Sequence, residues 1–131
     1  MIVDLNKIMD MLDWWQSEEI QKKGIELAHE VKCINTFILP MDADYNKNVW
    51  ENCAKILANR SDEALKPYLS HLFEWLQDLT WPGTFIIIER LKRYERDSTF
   101  YFTLEKVMKI AKVVNEGMWY ENLKLLYESD K

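Results

Sequence analysis

The sequence predicts an all-α fold, a compact right-handed array of about six or seven antiparallel helices forming one domain over residues 1–131. Three observations carry that expectation. Residues 65–91, LKPYLSHLFEWLQDLTWPGTFIIIERL, read as a helix, a tight turn and a second helix, a unit that cannot bury its own apolar face and must stack on neighbours. Apolar residues recur at helical spacing along most of the chain. With only three Gly and three Pro, the chain lacks the turns that a sandwich or barrel needs.

In chain order, residues 4–13 form a short first helix with Leu5, Ile8, Met9 and Leu12 on one side. Ser17 is the N-cap of the second, followed by Glu18 and Glu19 at its positive end. Ile20, Gly24, Leu27, Ala28 and Val31 make its apolar stripe. Gly24 costs about 1 kcal/mol relative to Ala in a helix, so a close neighbouring helix or a Trp ring is expected against it. Ile34 to Pro40 is a buried turn of helix or an extended connector, and residues 41–46, MDADYN, are the longest polar interruption. Helix resumes at Asn46 or Asn48, with Val49, Trp50, Cys53, Ile56 and Leu57 inward.

Ser61-Asp62-Glu63 caps the next helix, where Pro67 belongs in the first turn or at a kink. Leu65, Leu69, Leu72, Phe73 and Leu76 are its buried face, with Tyr68 and Trp75 beside it. Trp81-Pro82 opens the following helix with Pro82 at its first position. The run from Phe85 to Ile88 is rich in β-branched residues, but Thr84, Ile87, Ile88, Leu91 and Tyr94 share one helical face. Phe85 and Ile86 fall outside it, which predicts a central helix covered on two sides. Phe100, Leu104, Val107, Met108, Ala111 and Val114 form the next face, Gly117 marks a break, and a last helix turns Trp119, Leu123 and Leu126 inward.

Net charge is −5, with 17 basic and 22 acidic residues, and it is unevenly distributed. Residues 1–30 carry three Lys against seven acids (3 − 7 = −4), and residues 82–112 carry seven Lys and Arg against four acids (7 − 4 = +3). An acidic chain gains little from neutralising phosphates, so a protein partner with basic character is the better expectation than nucleic acid. Cys33 and Cys53 lack metal or redox spacing and read as two buried free thiols of a reducing cytoplasm. The first residues carry acids where a signal peptide needs bases, and no apolar run has the length of a membrane span, so a cytoplasmic location is expected.

No motif for a reaction stands out, and no cofactor or metal is expected. Asp42-x-Asp44-x-Asn46 imitates the start of a calcium loop, but Lys47 replaces the turn glycine and Cys53 stands where a bidentate Glu belongs. His29 and His71 have no partners at metal spacing, and three glycines cannot build a phosphate-cradling loop. Asp78 lies on a turn, where capping the helix that starts near Pro82 is its structural role. Trp75 and Trp81 read as core and turn-locking residues. Trp14 and Trp15 are adjacent, so both cannot point inward from one helix: either one is exposed as an interface anchor or a loop folds back over both.

Leu65-x-Pro67, the Leu69/Leu72/Leu76 ladder, Asp78 in the turn and the apolar helix after Pro82 resemble a HEAT-type repeat. The block Glu74-Trp75-Leu76-Gln77-Asp78-x-x-Trp81-Pro82-Gly83 also resembles a small bacterial family of helical domains carrying W-L-Q-D-x-x-W-P. HEAT repeats usually place Val-Arg early in the second helix; here Pro82-Gly83-Thr84 occupies that place, and no second copy is evident, which favours a compact bundle over a regular superhelix. The resemblance implies a scaffold that binds by its surface. Three expectations follow. The first is a non-catalytic interaction module, in its specific form an immunity-type inhibitor that neutralises a toxin, binding through Asp42, Asp44, Tyr45, Asp78, Trp81, Trp14 and Trp15. The second is a HEAT-like nucleic-acid binder or glycosylase-like enzyme, with Asp78 as the acid, Trp75 or Trp81 as the aromatic wall, and Arg90, Lys92, Arg93 and Arg96 on phosphates. The third is a homodimer formed through an uncovered end helix.

Overall fold

The computed structural model describes residues 4–40 and 46–129, and among these residues it contains helices and no strand. Helices α1 (Leu5–Met11) and α2 (Glu18–Ala28) pair with each other, and a 3₁₀ turn at Ile34–Phe37 leads onward. A second 3₁₀ turn, Lys47–Val49, runs straight into α3 (Trp50–Ala58). Residues 62–77 form one segmented rod: α4 (Asp62–Leu65), a 3₁₀ turn at Lys66–Tyr68, α5 (Leu69–Phe73) and a further 3₁₀ turn at Glu74–Gln77. Helices α6 (Thr84–Lys92), α7 (Ser98–Val113) and α8 (Gly117–Glu128) complete the array. The rod packs on α7 and α8, α6 packs on α3, and α2 closes the other side of α3.

Local signals explain where most helices begin. Asp4, Ser17, Ser61 and Asp97 each accept a hydrogen bond from a first-turn amide through the side chain. Asn46 does the same for the turn that precedes α3. Pro67 supplies no amide, and the rod tightens to 3₁₀ geometry around it. Gly24 meets a helix rather than a ring: a Cβ there would lie 2.9 Å from Cβ of Met11, so its absence lets α1 and α2 touch.

Several sequence expectations are corrected. Pro82 is not the first residue of a helix; Trp81 to Gly83 is a turn, and α6 begins at Thr84 behind Gly83, which holds a left-handed φ of 87°. Ile20 and Val114, assigned to inner faces, are exposed, because each sits at a helix end beyond the reach of a neighbour. The break before α8 falls on Asn115, whose φ is 59°; Gly117 is already the first residue of that helix. Phe85 is 65% exposed, whereas Ile86 is packed against the core and α6 meets both α3 and the last turn of the rod; the segmented rod, with Leu65, Phe73 and Trp75 fully enclosed, is the central element. Cys53 is buried and its thiol pushed far up by burial, whereas Cys33 is exposed; both are free.

The helices are tied together at their carboxyl ends. The last carbonyls of a helix have no intrahelical donor and carry partial negative charge. Side chains from other elements satisfy them here. Asn52, buried, donates to the Leu12 carbonyl after α1 (2.7 Å), and Arg60 to the Ala28 and Val31 carbonyls after α2 (both 2.8 Å). Arg90 donates to the Arg60 carbonyl after α3 (2.9 Å) and to the Asp62 carboxylate, and Arg96 to the Leu126 carbonyl of α8 (3.2 Å). The central rod is treated alike. Trp119 Nε1 donates to the Phe73 carbonyl (3.0 Å), Asn122 to that of Leu76 (2.8 Å), and the Thr84 hydroxyl lies within hydrogen-bonding reach of the Trp75 and Asp78 carbonyls. Arg90→Ala would remove one hydrogen bond from the Arg60 carbonyl and one from the Asp62 carboxylate. We expect it to lower unfolding free energy in urea by about 2 kcal/mol. Arg90→Lys, whose shorter side chain and compact ammonium lack the reach and fixed donor geometry of the guanidinium, is expected to recover less than half of that.

Candidate functional site

The start of α3 is where the sequence-predicted residues converge. Trp14 and Trp15 occupy the corner between α1 and α2. That corner is fixed to the segment entering α3, because the Trp14 amide donates to the Asn48 carbonyl at 3.0 Å. Asp13 accepts from the Trp15 amide at 2.8 Å and holds the corner from its own side. Both indoles face outward, Trp14 at 42% and Trp15 at 82% exposure, and among the described residues no loop folds back over both. Of the two alternatives for this pair, neither assumed that both rings would be exposed.

One turn further on, Lys47 places its ammonium 5.7 Å from the Trp50 ring and 5.6 Å from the Trp81 ring. Trp50 meets Trp81 edge-on at 5.3 Å, and on its buried side meets Trp75 edge-on at 6.0 Å. Trp75 is fully enclosed and donates Nε1 to the Pro82 carbonyl at 3.1 Å, so it supports this surface without reaching it. The arrangement is a stack in depth: Trp75 in the core, Trp50 above it, and half-buried Trp81 with Lys47 at solvent.

Asp78 does not cap α6. Its carboxylate accepts from the Thr80 hydroxyl (2.6 Å) and the Thr80 amide (2.8 Å), closing a tight local turn. Those hydrogen bonds, joined by the Lys47 charge, hold its pKa below the usual carboxylate range, so it is anionic at neutral pH. Beside it Leu79, Trp81, Pro82, Phe85 and Ile86 line an open depression of about 430 Å³ with Glu51 at its edge. On the α1 side, Asp10, Asp13, Gln16 and Asn46 line a second, polar depression. Aromatic side chains thus stand among carboxylates with Lys47 between. Asp42, Asp44 and Tyr45, also expected at this surface, lie outside the described residues.

Lys47, Trp50 and Phe85 are the members that sequence reasoning missed. Phe85 left a trace, as it fell off the helical face of α6. Lys47 and Trp50 left none, since their pairing with Trp81 joins residues more than thirty positions apart. The cluster holds no base paired with a nucleophile. Among the described residues, no three His, Cys, Asp or Glu side chains converge as metal ligands do. The residues expected on phosphates are differently placed. Arg90 is buried in its bonds to Arg60 and Asp62, Arg96 is held by Leu126 and Ser129, and Lys92 pairs with Glu89 at 3.6 Å. Arg93 is exposed, and Trp75, one of the two candidate aromatic walls, is inside the core.

A family model described as a domain of unknown function, DUF5071, matches residues 46–128. The chain belongs to the DUF5071 family. The matched residues begin at Asn46 and so include Lys47, Trp50, Asp78, Trp81 and Phe85, whereas Trp14 and Trp15 come from outside them. In this member of DUF5071 the tryptophan corner, with Asp10, Asp13 and Gln16 beside it, precedes the matched residues. No curated protein and no solved structure matches the chain. Among the described residues, no helix is long and apolar enough to cross a membrane.

Proposed function

We propose that this protein is a non-catalytic interaction module on a HEAT-like helical scaffold, and that it binds a protein partner of basic character through the surface at the start of α3. The observation that supports this reading best is the exposure of Trp15 beside Trp14 on a corner hydrogen-bonded to the rest of the site. A large apolar ring held in water by a fixed backbone is a poor stability choice and a good interface anchor. Around it Asp10, Asp13, Asp78 and Glu51 supply negative charge that steers a cationic partner and fixes its register. The specific form we favour is an immunity-type inhibitor, whose carboxylates and indoles occupy the basic active site of a toxin in a bacterial cytoplasm. A nucleic-acid partner is the weaker reading, because Arg90 and Arg96 are engaged inside the fold.

Affinity purification of the full chain from its native extract tests the proposal. A stoichiometric protein is expected with the wild type. Its affinity is expected to fall at least about ten-fold for Trp15→Ala and for Trp81→Ala, with the helical spectrum unchanged for the first. Recovery of no partner, or of one that binds Trp15→Ala equally well, would rule this surface out.

A further inference from the structure

Helix α7 carries a covered apolar stripe and, on its opposite face, an exposed stripe in which apolar side chains flank two lysines. Phe100, Leu104, Val107 and Ala111 follow the spacing i, i+4, i+7, i+11 and are buried against the rod and α8. Phe102, Lys106, Lys109 and Val113 repeat the same spacing two residues later, on the opposite face. Phe102 is 70% exposed and Val113 84%, and Ile110 beside them is also exposed. A helix at the outside of an array is expected to turn a polar face to water; apolar side chains at both ends of the outer stripe mark an unpartnered seam.

The chemistry around that seam is cationic. Lys106, Lys109 and Lys112 project from α7, and Lys66 stands across a groove of about 360 Å³ that Phe102, Lys106, Ile110, Pro67, Ser70 and Trp119 help to line. Among the described residues, Lys106 and Lys109 have no ion-pair partner within salt-bridge distance, while Lys66 reaches Asp97 at 4.0 Å and Lys112 lies over the Tyr120 ring. Glu74 is the acid within the groove, paired with His71 at 3.6 Å, and Glu105 lies at its border. In an acidic chain this face is a local inversion of sign. It is also separate from the tryptophan corner, since α7 packs on α5 and α8 while α1 packs on α2 and α2 on α3.

We propose that the outer face of α7, with the groove beside it, docks an acidic amphipathic helix of a partner protein. Apolar side chains of the incoming helix fill the groove between Phe102 and Ile110 and cover Val113; its carboxylates pair with Lys106, Lys109 and Lys66. α7 has 16 residues, a length of about 24 Å, so about four turns of a partner can lie along it. A second copy of this chain fits less well. Its net negative charge is concentrated in residues 1–30 (3 − 7 = −4 of −5), so the contact would be head to tail and would leave a free surface of each kind at the ends of every assembly.

The test uses the full chain and a fluorescein-labelled peptide of about four helical turns, with Leu at i, i+4, i+7 and i+11 and Glu elsewhere on its exposed face. A peptide of the same composition in scrambled order is the control. Saturable anisotropy is expected with the patterned peptide, weakened at least about ten-fold by scrambling, by Lys106→Glu with Lys109→Glu, and by Phe102→Ala. Added salt is expected to weaken it as well. Trp15→Ala is expected to leave it unchanged, which separates this face from the tryptophan surface. Phe102, Lys106 and Lys109 are exposed, so the variants are expected to keep the wild-type circular dichroism. No saturable binding, equal binding of the scrambled peptide, or full affinity in the double-glutamate variant would overturn the proposal. Two parallel arms name the alternatives. Vesicles of equal parts phosphatidylcholine and phosphatidylserine binding where the peptide does not would assign the face to a membrane surface. Self-association on sedimentation that the double-glutamate variant abolishes would assign it to a second copy.

Discussion

Trp75→Ala is expected to be the most damaging single substitution described here, lowering unfolding free energy in urea by about 3–5 kcal/mol. Trp75 is the largest of the fully buried side chains and is touched edge-on by Trp50. Truncation removes the buried ring and leaves a cavity that the short helical segments around it cannot close, because each is held by its neighbours' carbonyl bonds. The Pro82 carbonyl loses its donor too. Trp75→Phe keeps much of the apolar volume and loses the same hydrogen bond, so we expect about half the loss; equal losses would show that the bond, rather than the ring, dominates. Trp50 and Trp81 rest on Trp75 in sequence. Partner binding is therefore expected to weaken in either variant even where the chain remains folded, although Trp75 itself reaches no solvent.

Gly83→Ala is expected to cost about 2–4 kcal/mol, from backbone strain and a steric clash together. The residue holds φ at 87°, where an L side chain is strained. A Cβ there would also lie 2.7 Å from Cβ of Ala54 and 3.1 Å from the Trp50 carbonyl oxygen. Neither is the loose end of a flexible side chain, so α6 would have to back away from α3. Gly117→Ala makes the same chemical change in the first turn of α8 with nothing within 4 Å of the new atom. It is expected to stabilise by about 0.5–1 kcal/mol, since Ala is the better helix former. Paired thermal melts thus have opposite expected signs, and an unchanged or raised melting temperature for Gly83→Ala would contradict this account of Gly83.

The helical class was legible because local and tertiary preferences agree over most of the chain. Leu65, Leu69, Leu72, Phe73 and Leu76 sit inward as their spacing requires, and Ser17 and Ser61 cap as their side chains allow. What was not legible depends on which elements lie at the edge of the array. Phe85 and Val114 extend apolar patterns in the sequence, yet no neighbour reaches them, and periodicity carries no information about where the last layer ends. Asp78 shows a second limit. A carboxylate on a turn before a helix can cap that helix or close its own turn on Thr80, and the choice is set by Gly83, which redirects the chain before α6 begins. The exposed tryptophan corner is joined to the rest of the site by a backbone bond, Trp14 to Asn48, that no spacing rule anticipates.

The irregular final turn of the central rod has a further consequence. Greasy stripes alone let one cylinder roll or slide against another at little cost, so several packings of similar energy compete. By winding too tightly at Glu74–Gln77, the rod leaves carbonyls at Phe73, Trp75 and Leu76 open to outside donors, and Trp119, Thr84 and Asn122 meet them. These directional bonds act as index pins: α8 can sit at one rotation and one height, and α6 at one entry angle. A regular helix through that stretch would seal the sockets, and the chain would keep its greasiness while losing its single answer.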